Sequence, residues 1–239
     1  MVYQGSKNKL AKHLKPWIEM FLKPGMSYVE PFVGGANMID KIEWDSKYGF
    51  DINSNLIALL QHFQNSQQDY IYICRDKWKE AKDMCKNGVV NWYIGYVGFI
   101  CSFCGKYFDG YGNREIAPDR DLNKERYNNI LKQSSQEQFK NIIFDTANYK
   151  DLQIYNSVIY LDPPYKNTRV YNQIGKFNHN ELWEKCKEWK QNGNTILLSE
   201  LQAPDDNWIC LWEKPYKFML GTSTSKDVTE RLYLYVGGE

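Results

Sequence analysis

The stretch that decides the fold is residues 27–63, SYVEPFVGGANMIDKIEWDSKYGFDINSNLIALLQHF. It begins with a short strand at 27–30 and passes through a turn that contains Gly34 and Gly35. A helical period resumes over 36–44, and a second short strand follows at 48–51. The next predicted helix carries its apolar residues on one side, at Leu56, Leu59, Leu60 and Phe63. Strand, glycine turn, helix, strand and helix in this order predict a doubly wound α/β sheet.

Elements outside this stretch continue the alternation. Apolar residues recur with a helical period over 10–21, and Pro16 inside that period predicts a kink or a restart of the helix. A helix is predicted over 182–189 and a buried strand over 195–199. The sheet is then expected to close with a strand pair, formed by 209–212 and 231–236.

A second informative motif, Asp162-Pro163-Pro164-Tyr165, directly follows the apolar run at 158–161. Proline has a fixed φ and no N–H, so two prolines make a rigid turn with outward carbonyls. Asp162 and the Pro163 carbonyl are then able to accept both hydrogens of one exocyclic amine, while Tyr165 stacks on the ring that carries it. Two acceptors favour a more tetrahedral, nucleophilic nitrogen. The motif indicates methyl transfer to such an amine, although a strand-ending turn explains the same residues.

The turn at Gly34 and Gly35 indicates a nucleoside site. Missing side chains between a strand and a helix let a ligand approach the backbone. Asp51 ends the next strand, where an acid in nucleoside-binding α/β folds accepts hydrogen bonds from both ribose hydroxyls. Phe32 lies beside the turn and is placed to pack on a base. The G-x-G-x-x-G pattern of dinucleotide enzymes is missing, and a plain loop is the alternative interpretation.

Four segments, in this order, resemble the Dam-like (D12 class) DNA adenine-N6 methyltransferases of phages and bacteria. They are Tyr3-Gln4-Gly5-Ser6-Lys7, Val29-Glu30-Pro31-Phe32-Val33-Gly34-Gly35, Asp51-Ile52-Asn53 and Asp162-Pro163-Pro164-Tyr165. The similarity extends through 98–108 and so covers nearly the whole chain. It implies a Rossmann-like methyltransferase sheet with an inserted, mostly helical target-recognition domain. It also implies S-adenosylmethionine as methyl donor, without a metal.

The resemblance assigns roles to residues in all four segments. Cofactor-binding residues would be Tyr3, Lys7, Glu30, Phe32, Gly34, Asp51 and Asp162. Catalytic residues would be Asp162, Pro163, Pro164 and Tyr165, with Tyr165 stacked on adenine. One departure precedes the catalytic strand, where family members often carry an acid and then an aromatic residue that contact the cofactor adenine. Here the nearest match is Asn148-Tyr149, and an Asp145 displaced in register is the alternative.

The resemblance also divides the chain. A catalytic domain is expected at 1–63 and 142–239, and a target-recognition domain at 64–141. The aromatic residues of the inserted part are more typical of a core than of base stacking. Residues 106–140 hold seven basic and six acidic side chains, so this part is not strongly cationic. Residue types that read base edges are nevertheless present: Lys106, Asn113, Arg114, Arg120, Asn123 and Arg126.

Composition sets milder bounds. The 239 residues carry a formal net charge of +1, yet the first 23 hold five lysines against one acid, which suits either a phosphate contact or a solvated helix face. Cys101 and Cys104 have the spacing of half a zinc site, but no second pair accompanies them, so reduced structural thiols are favoured. Neither a signal peptide nor a membrane span is predicted. We expect a cytoplasmic protein of a bacterium or phage-infected cell.

Together these features predict methylation of an adenine amine in double-stranded DNA, after the base rotates out of the stack. Methylation of a cytosine amine is an alternative, because the same acceptor geometry serves either base. An RNA or protein amine methyltransferase and an inactive DNA-binding module are further alternatives. No membrane and no obligate protein partner are inferred. The polar stretch 168–178 is either a loop that closes over the flipped base or an ordinary surface loop.

Overall fold

The computed structural model describes residues 1–66, 68–113, 120–165, 177–219 and 225–237. Its helices are α1 (Ala11–Glu19), α2 (Ser54–Asn65), α3 (Arg75–Lys86), α4 (Trp92–Gly95), α5 (Leu122–Ser134), α6 (Glu137–Lys140) and α7 (His179–Gln191). Its strands are β1 (Ser27–Glu30), β2 (Lys47–Asp51), β3 (Ile142–Thr146), β4 (Ser157–Leu161), β5 (Thr195–Glu200), β6 (Trp208–Met219) and β7 (Ser225–Tyr235).

The seven strands form one sheet in the order β3-β2-β1-β4-β5-β7-β6. Strand β2 pairs in parallel with β3, and β4 pairs in parallel with both β1 and β5. Strand β7 is antiparallel to β5 and to β6. Parallel strands separated by helices, with an order that reverses at β1, confirm the predicted Rossmann-like α/β fold.

The chain divides into two compact units. The first comprises Met1–Ala11 and Val33–Asn148, and the second Lys12–Phe32 and Tyr149–Glu239. The first unit contains β2, β3 and the helices α2 to α6. The second contains β1, β4 to β7, α7 and nearly all of α1. The predicted recognition domain at 64–141 lies within the first unit, and its role stays a prediction.

Helix α2 packs in the first unit as its sequence pattern predicts. Asn53 caps the helix, because its Oδ1 accepts hydrogen bonds of 3.1 Å from the N–H groups of Asn55 and Leu56. The predicted apolar face is buried: Leu56, Leu59 and Leu60 are 0% exposed, and Phe63 is 3% exposed. This face fixes α2 in the core of the unit.

Helix α4 approaches α2 backbone to backbone at Gly95. A Cβ atom on Gly95 would lie closer to the Asn55 carbonyl oxygen than van der Waals contact allows, and 2.9 Å from the Leu59 Cβ. The Asn55 side chain accepts a 2.9 Å hydrogen bond from the Asn91 N–H, and Asn91 in turn caps α4. Only glycine permits this contact.

Strand β4 of the second unit is fully buried, as expected for a parallel strand covered on both faces. Asn194, in the turn between α7 and β5, holds the first residue of this strand. Its Oδ1 accepts the Ser157 N–H at 2.9 Å, and its Nδ2 donates to the carbonyls of Ile154 and Trp189 at 2.7 Å. One buried amide thus satisfies three backbone groups.

The helix predicted over 36–44 is wrong, because the segment contains only a short 3₁₀ turn at Ile39–Lys41. Ala36 has a φ of +55°, which no right-handed helix accommodates. The Ala36 carbonyl also accepts a hydrogen bond from the Gln133 side chain at 2.9 Å, so it does not continue a helical ladder. The apolar residues here are buried by tertiary contacts.

Two other elements differ from their predicted form. A kink or a restart is predicted at Pro16; helix α1 runs through Pro16 over Ala11–Glu19, so the restart is wrong and the kink stays a prediction. The closing strand pair is correct in place, but it is longer than predicted, because β6 and β7 pair from Trp208 with Tyr235 to Met219 with Ser225. Strand β6 contains Pro215, which an edge strand tolerates because one side of it needs no N–H donor.

The middle of the first unit is mostly helical, and its aromatic residues are largely core, as the sequence indicates. Trp78, Tyr96, Phe99 and Phe108 are all buried. Among the candidate base readers, Asn123 is fully buried, and Arg120 pairs with Glu125. Arg114 and residues 168–176 of the predicted loop lie outside the described residues. None of the helices described is long and apolar enough to cross a membrane.

The six cysteines form no disulfide. Cys101 is buried and Cys104 is exposed, with a left-handed φ of +53°. Across the described ranges, no three His, Cys, Asp or Glu side chains are grouped so that they would hold a metal ion.

Candidate functional site

The Asp51 carboxylate ends β2 and joins the glycine turn to the start of α2. Its Oδ2 accepts a hydrogen bond from the Gly34 N–H at 3.2 Å, and its Oδ1 accepts one from the Asn53 N–H at 2.9 Å. Burial raises the pKa of Asp51 to about 6, although hydrogen bonds from backbone N–H groups act in the opposite direction. The two predicted cofactor residues Gly34 and Asp51 are therefore in direct contact.

The two glycines of the turn lie against the ring of Tyr3. A Cβ atom on Gly34 would lie 2.8 Å from Tyr3 Cε1, and one on Gly35 would lie 2.7 Å from Tyr3 Cβ. The Tyr3 ring is also stacked on Phe99, with centroids 5.7 Å apart. From the sequence, these glycines are interpreted as a place where a ligand approaches the backbone. In the structure, the missing side chains also make room for Tyr3.

Gln133 of α5 supports the same turn, a role that its sequence context does not indicate. It is 5% exposed, and its amide nitrogen lies 3.2 Å from the Gly35 carbonyl, 2.9 Å from that of Ala36 and 3.0 Å from Asp40 Oδ2. A glutamine on a helix normally indicates a solvent-facing side chain. Gln133 holds the glycine turn only because the fold brings it next to residues almost 100 positions earlier in the chain.

Lys7 is buried in the first unit. Its backbone carbonyl accepts hydrogen bonds of 2.8 Å from the N–H groups of Leu10 and Ala11, which places it at the entrance to α1. A buried lysine near an N-terminus differs from the solvated lysine that its sequence position suggests.

The predicted catalytic turn, Asp162 to Tyr165, leaves the end of β4 in the second unit. Pro163 is buried, and the other three residues are half-buried. The Tyr165 hydroxyl donates a hydrogen bond to Glu230 Oε1 on β7, and His179 Nε2 lies 2.9 Å from the Pro164 carbonyl and donates to it. The Pro164–Tyr165 end of the turn is therefore held by two residues that are distant in sequence.

The electrostatics of this turn keep Tyr165 neutral. Burial raises the pKa of Tyr165 well above its ordinary value, and the negative charges of Asp162 and Glu230 raise it further. Tyr160 responds similarly, with burial as the first cause of its raised pKa and Asp162 as the next, and its hydroxyl lies 2.7 Å from Ser199 Oγ. Tyr165 is therefore a neutral hydrogen-bond donor that is influenced by two carboxylates, those of Asp162 and Glu230.

Glu30 and Phe32 flank the end of β1 in the second unit. Glu30 is buried, and its Oε1 accepts a 2.8 Å hydrogen bond from the Tyr28 hydroxyl. The ring of Phe32 packs on Tyr149, with centroids 5.1 Å apart, and edge-on to Phe177 at 5.7 Å. The role of Phe32 against a nucleoside base stays a prediction.

The two candidates for the cofactor adenine differ in exposure. Asp145 is exposed, and its Oδ1 accepts a hydrogen bond from the adjacent Thr146 N–H at 2.7 Å. Asn148 is half-buried, next to the buried Tyr149. Asp145 thus accepts a bond within its own strand, and the assignment of either residue to adenine stays a prediction.

Comparison with solved structures finds similar proteins at low sequence identity. One is described as "SMU.472, a putative methyltransferase complexed with SAH", with 12% identity, a TM-score of 0.41 and coverage of 98% of this chain. Another is described as "a putative RNA methyltransferase PH1948 from Pyrococcus horikoshii", with 10% identity, a TM-score of 0.31 and coverage of 48% of this chain. The alignments cover 53% and 60% of those two proteins. Comparison with curated protein sequences gave no match.

The sequence itself matches a protein family over most of its length. The matching family is described as D12 class N6 adenine-specific DNA methyltransferase, and the match covers residues 3–90 and 96–219. These ranges include the glycine turn, Asp51 and the Asp162–Tyr165 turn. The chain therefore belongs to the D12 class N6 adenine-specific DNA methyltransferase family.

Proposed function

We propose that the protein transfers a methyl group from S-adenosylmethionine to the exocyclic amine of an adenine in double-stranded DNA. The observation that carries this proposal is the turn from Asp162 to Tyr165, which presents acceptors and a neutral tyrosine at the carboxyl end of β4. In open α/β sheets, ligands bind at the carboxyl ends of the strands. Family membership supports adenine as the target.

The residues of the first unit fit S-adenosylmethionine. A carboxylate offers about four acceptor positions, and the bonds from Gly34 and Asn53 to Asp51 leave acceptor capacity for ribose hydroxyls. Gly34 is held in the left-handed conformation, with a φ of +49°, so its backbone follows a path that other residues rarely adopt. When bound, this cofactor supplies an electrophilic methyl group on a sulfonium.

On the acceptor side, the chain orients the amine. Asp162 and the Pro163 carbonyl accept its two hydrogens, which makes the nitrogen lone pair more available for attack. His179 donates to the Pro164 carbonyl, and we assign the amine to the Pro163 carbonyl. Tyr165 contributes its ring face to the base.

An adenine inside a duplex is inaccessible to such a turn, so the proposal includes base flipping. Rotation out of the stack costs a few kcal/mol, which stacking and hydrogen bonding offset. Recognition of the DNA sequence is assigned to residues 64–141, where Asn113 and Arg126 take part in internal hydrogen bonds. Among the base-reading candidates that the structure describes, Lys106 and Arg120 have the exposed side chains.

The direct test is expression of the protein in cells that lack adenine methylation, followed by mass spectrometry of the nucleosides. N6-methyladenine is the expected product, and sequencing that detects modified adenines would give the target site. N4-methylcytosine would show that the amine belongs to cytosine instead. Methyl transfer to RNA or protein, with none to duplex DNA, would overturn the proposal.

The residue-level test is Asp162→Ala, with Asp206→Ala as a matched control on an exposed loop of the same unit. Loss of one charge-assisted acceptor is expected to lower kcat about 100-fold. The control should keep normal activity. Normal methyl transfer by a folded Asp162→Ala protein would refute the assignment.

A further inference from the structure

The hydroxyl of Tyr165 has a specific partner on a different part of the sheet. Glu230 lies on β7, 65 residues further along the chain, and accepts the hydrogen bond from Tyr165 through Oε1. Glu230 is 4% exposed. The contact therefore joins the proposed catalytic turn to the antiparallel end of the sheet within one unit.

A carboxylate is a costly residue at this position. Burial of an ionised group is unfavourable unless hydrogen bonds compensate for lost hydration. Glu230 accepts the hydrogen bond of the Tyr165 hydroxyl, and the charge of Asp162 also acts on Tyr165. A packing function alone would be served better by an apolar residue, such as Leu232 on the same strand.

The contact fixes the orientation of the Tyr165 ring. At its backbone, Tyr165 follows two prolines, whose φ angles are fixed, and the Pro164 carbonyl is held by His179. At its other end, the hydroxyl is held by Glu230. A ring fixed at both ends presents one face in one orientation, which lowers the entropy lost when a base stacks on it.

We propose that Glu230 is a positioning residue, which holds the Tyr165 ring in the orientation that stacks on the target base. This inference rests on the proposed function. Glu230 acts through the Tyr165 hydroxyl and not on the reacting atoms. Its removal therefore lowers kcat and leaves the binding of S-adenosylmethionine unchanged.

The test is a double-mutant cycle of Glu230→Leu and Tyr165→Phe, with methyl transfer to duplex DNA measured at saturating cofactor. Each single variant loses the same hydrogen bond, so each is expected to lower kcat about 10- to 100-fold. If Glu230 acts through the Tyr165 hydroxyl, Glu230→Leu should have no further effect on kcat in the Tyr165→Phe background, where that hydroxyl is absent. The Kd of S-adenosylmethionine, measured by calorimetry, should change less than about twofold.

Two more variants separate positioning from structural support. Glu230→Gln keeps an oxygen that accepts from Tyr165, so its kcat should stay within about threefold of the unmodified protein. Glu213→Leu is the matched control, since Glu213 is an exposed glutamate on the neighbouring strand β6. Its kcat should be normal. Thermal unfolding checks that every variant is folded.

The outcomes distinguish the two levels of proposal. An unmodified protein that does not methylate duplex DNA would overturn the proposed function. An active protein in which Glu230→Leu lowers kcat equally in the unmodified and the Tyr165→Phe backgrounds would overturn positioning through the Tyr165 hydroxyl. Should Glu230→Leu fail to fold, Tyr165→Phe and Glu230→Gln carry the test, and normal kcat in Tyr165→Phe would refute the inference.

Discussion

Asp51 combines a structural and a proposed binding role in one carboxylate. It holds the glycine turn through Gly34 and the start of α2 through Asn53. The same burial that makes these bonds strong raises the pKa of Asp51 to about 6. The ionised form is therefore the main one only above that pH, so the proposed binding of the cofactor by Asp51 would depend on pH.

We predict that the affinity for S-adenosylmethionine falls as the pH drops through 6. Ribose hydroxyls bind the carboxylate, and protonation of Asp51 removes this acceptor. Because the pKa of Asp51 is about 6, the affinity should be constant above about pH 7 and roughly tenfold weaker at pH 5. Calorimetric titration across this range measures the change.

The control variants are Asp51→Asn, which should bind weakly without this pH dependence, and Asp45→Asn, an exposed acid of the same unit that should behave normally. An unchanged affinity at pH 5 would contradict the prediction.

Asn194 shows how a single residue carries stability. It satisfies the Ser157 N–H and the carbonyls of Ile154 and Trp189. Asn194→Ala removes the side-chain partner of the Ser157 N–H and the Ile154 carbonyl, while the Trp189 carbonyl keeps a bond from the backbone N–H of residue 194. The free energy of unfolding is expected to fall by about 3 kcal/mol. Chemical denaturation measures this loss. Asn192→Ala, two residues earlier, should cost less than about 1 kcal/mol, and equal losses in both variants would argue against the mechanism.

At the scale of elements, most strands, the helix α2 and the glycine turn could be predicted from their sequence patterns, whereas the segment 36–44 after the turn could not. The buried face of α2 was predictable because its period of apolar residues is local. The helix predicted over 36–44 is wrong because the start of this segment is held by Gln133, which is far away in sequence. The role of Glu230 was not predicted either, because its partner Tyr165 is 65 residues away in sequence. A lone glutamate in a strand suggests a solvent-facing position.

The hydrogen bonds of Gln133 connect helix α5 to the glycine turn, so we predict that a change at Gln133 weakens cofactor binding. Gln133→Leu keeps the side-chain size but leaves the carbonyls of Gly35 and Ala36 without this donor. The turn should loosen, and the Kd of S-adenosylmethionine should rise about tenfold. Equilibrium binding measures the effect. Gln138→Leu, an exposed glutamine on α6, is the control, and a Kd for Gln133→Leu equal to that of the control would refute the role.

At the scale of the whole molecule, a formal net charge of +1 means that DNA binding would depend on local charges rather than on the overall field. The family, the motif order and the sheet were recognisable from the sequence, because the motifs lie at strand ends and keep their residue types. The target sequence was not, because base readout, which we propose for 64–141, depends on surface geometry that the sequence does not give.

Cofactor binding should also be visible in the stability of the whole chain. S-adenosylmethionine at 100 times its Kd stabilises the folded state by about 2.7 kcal/mol. For a chain of 239 residues this raises Tm by about 5–10 °C. Scanning calorimetry with and without the cofactor measures the shift. Asp51→Asn should show a much smaller shift at the same concentration, and an unchanged Tm in the unmodified protein would contradict cofactor binding.

The backbone contact between α4 and α2 has a consequence for genetics. Because a Cβ on Gly95 would meet the Asn55 carbonyl, even alanine at this position forces the two helices apart. Gly95 is not among the residues proposed to bind cofactor or base, yet a library of all single substitutions should tolerate almost none there. Such alleles would be useful as heat-sensitive mutants, since they weaken the framework while leaving the chemistry of the chain intact.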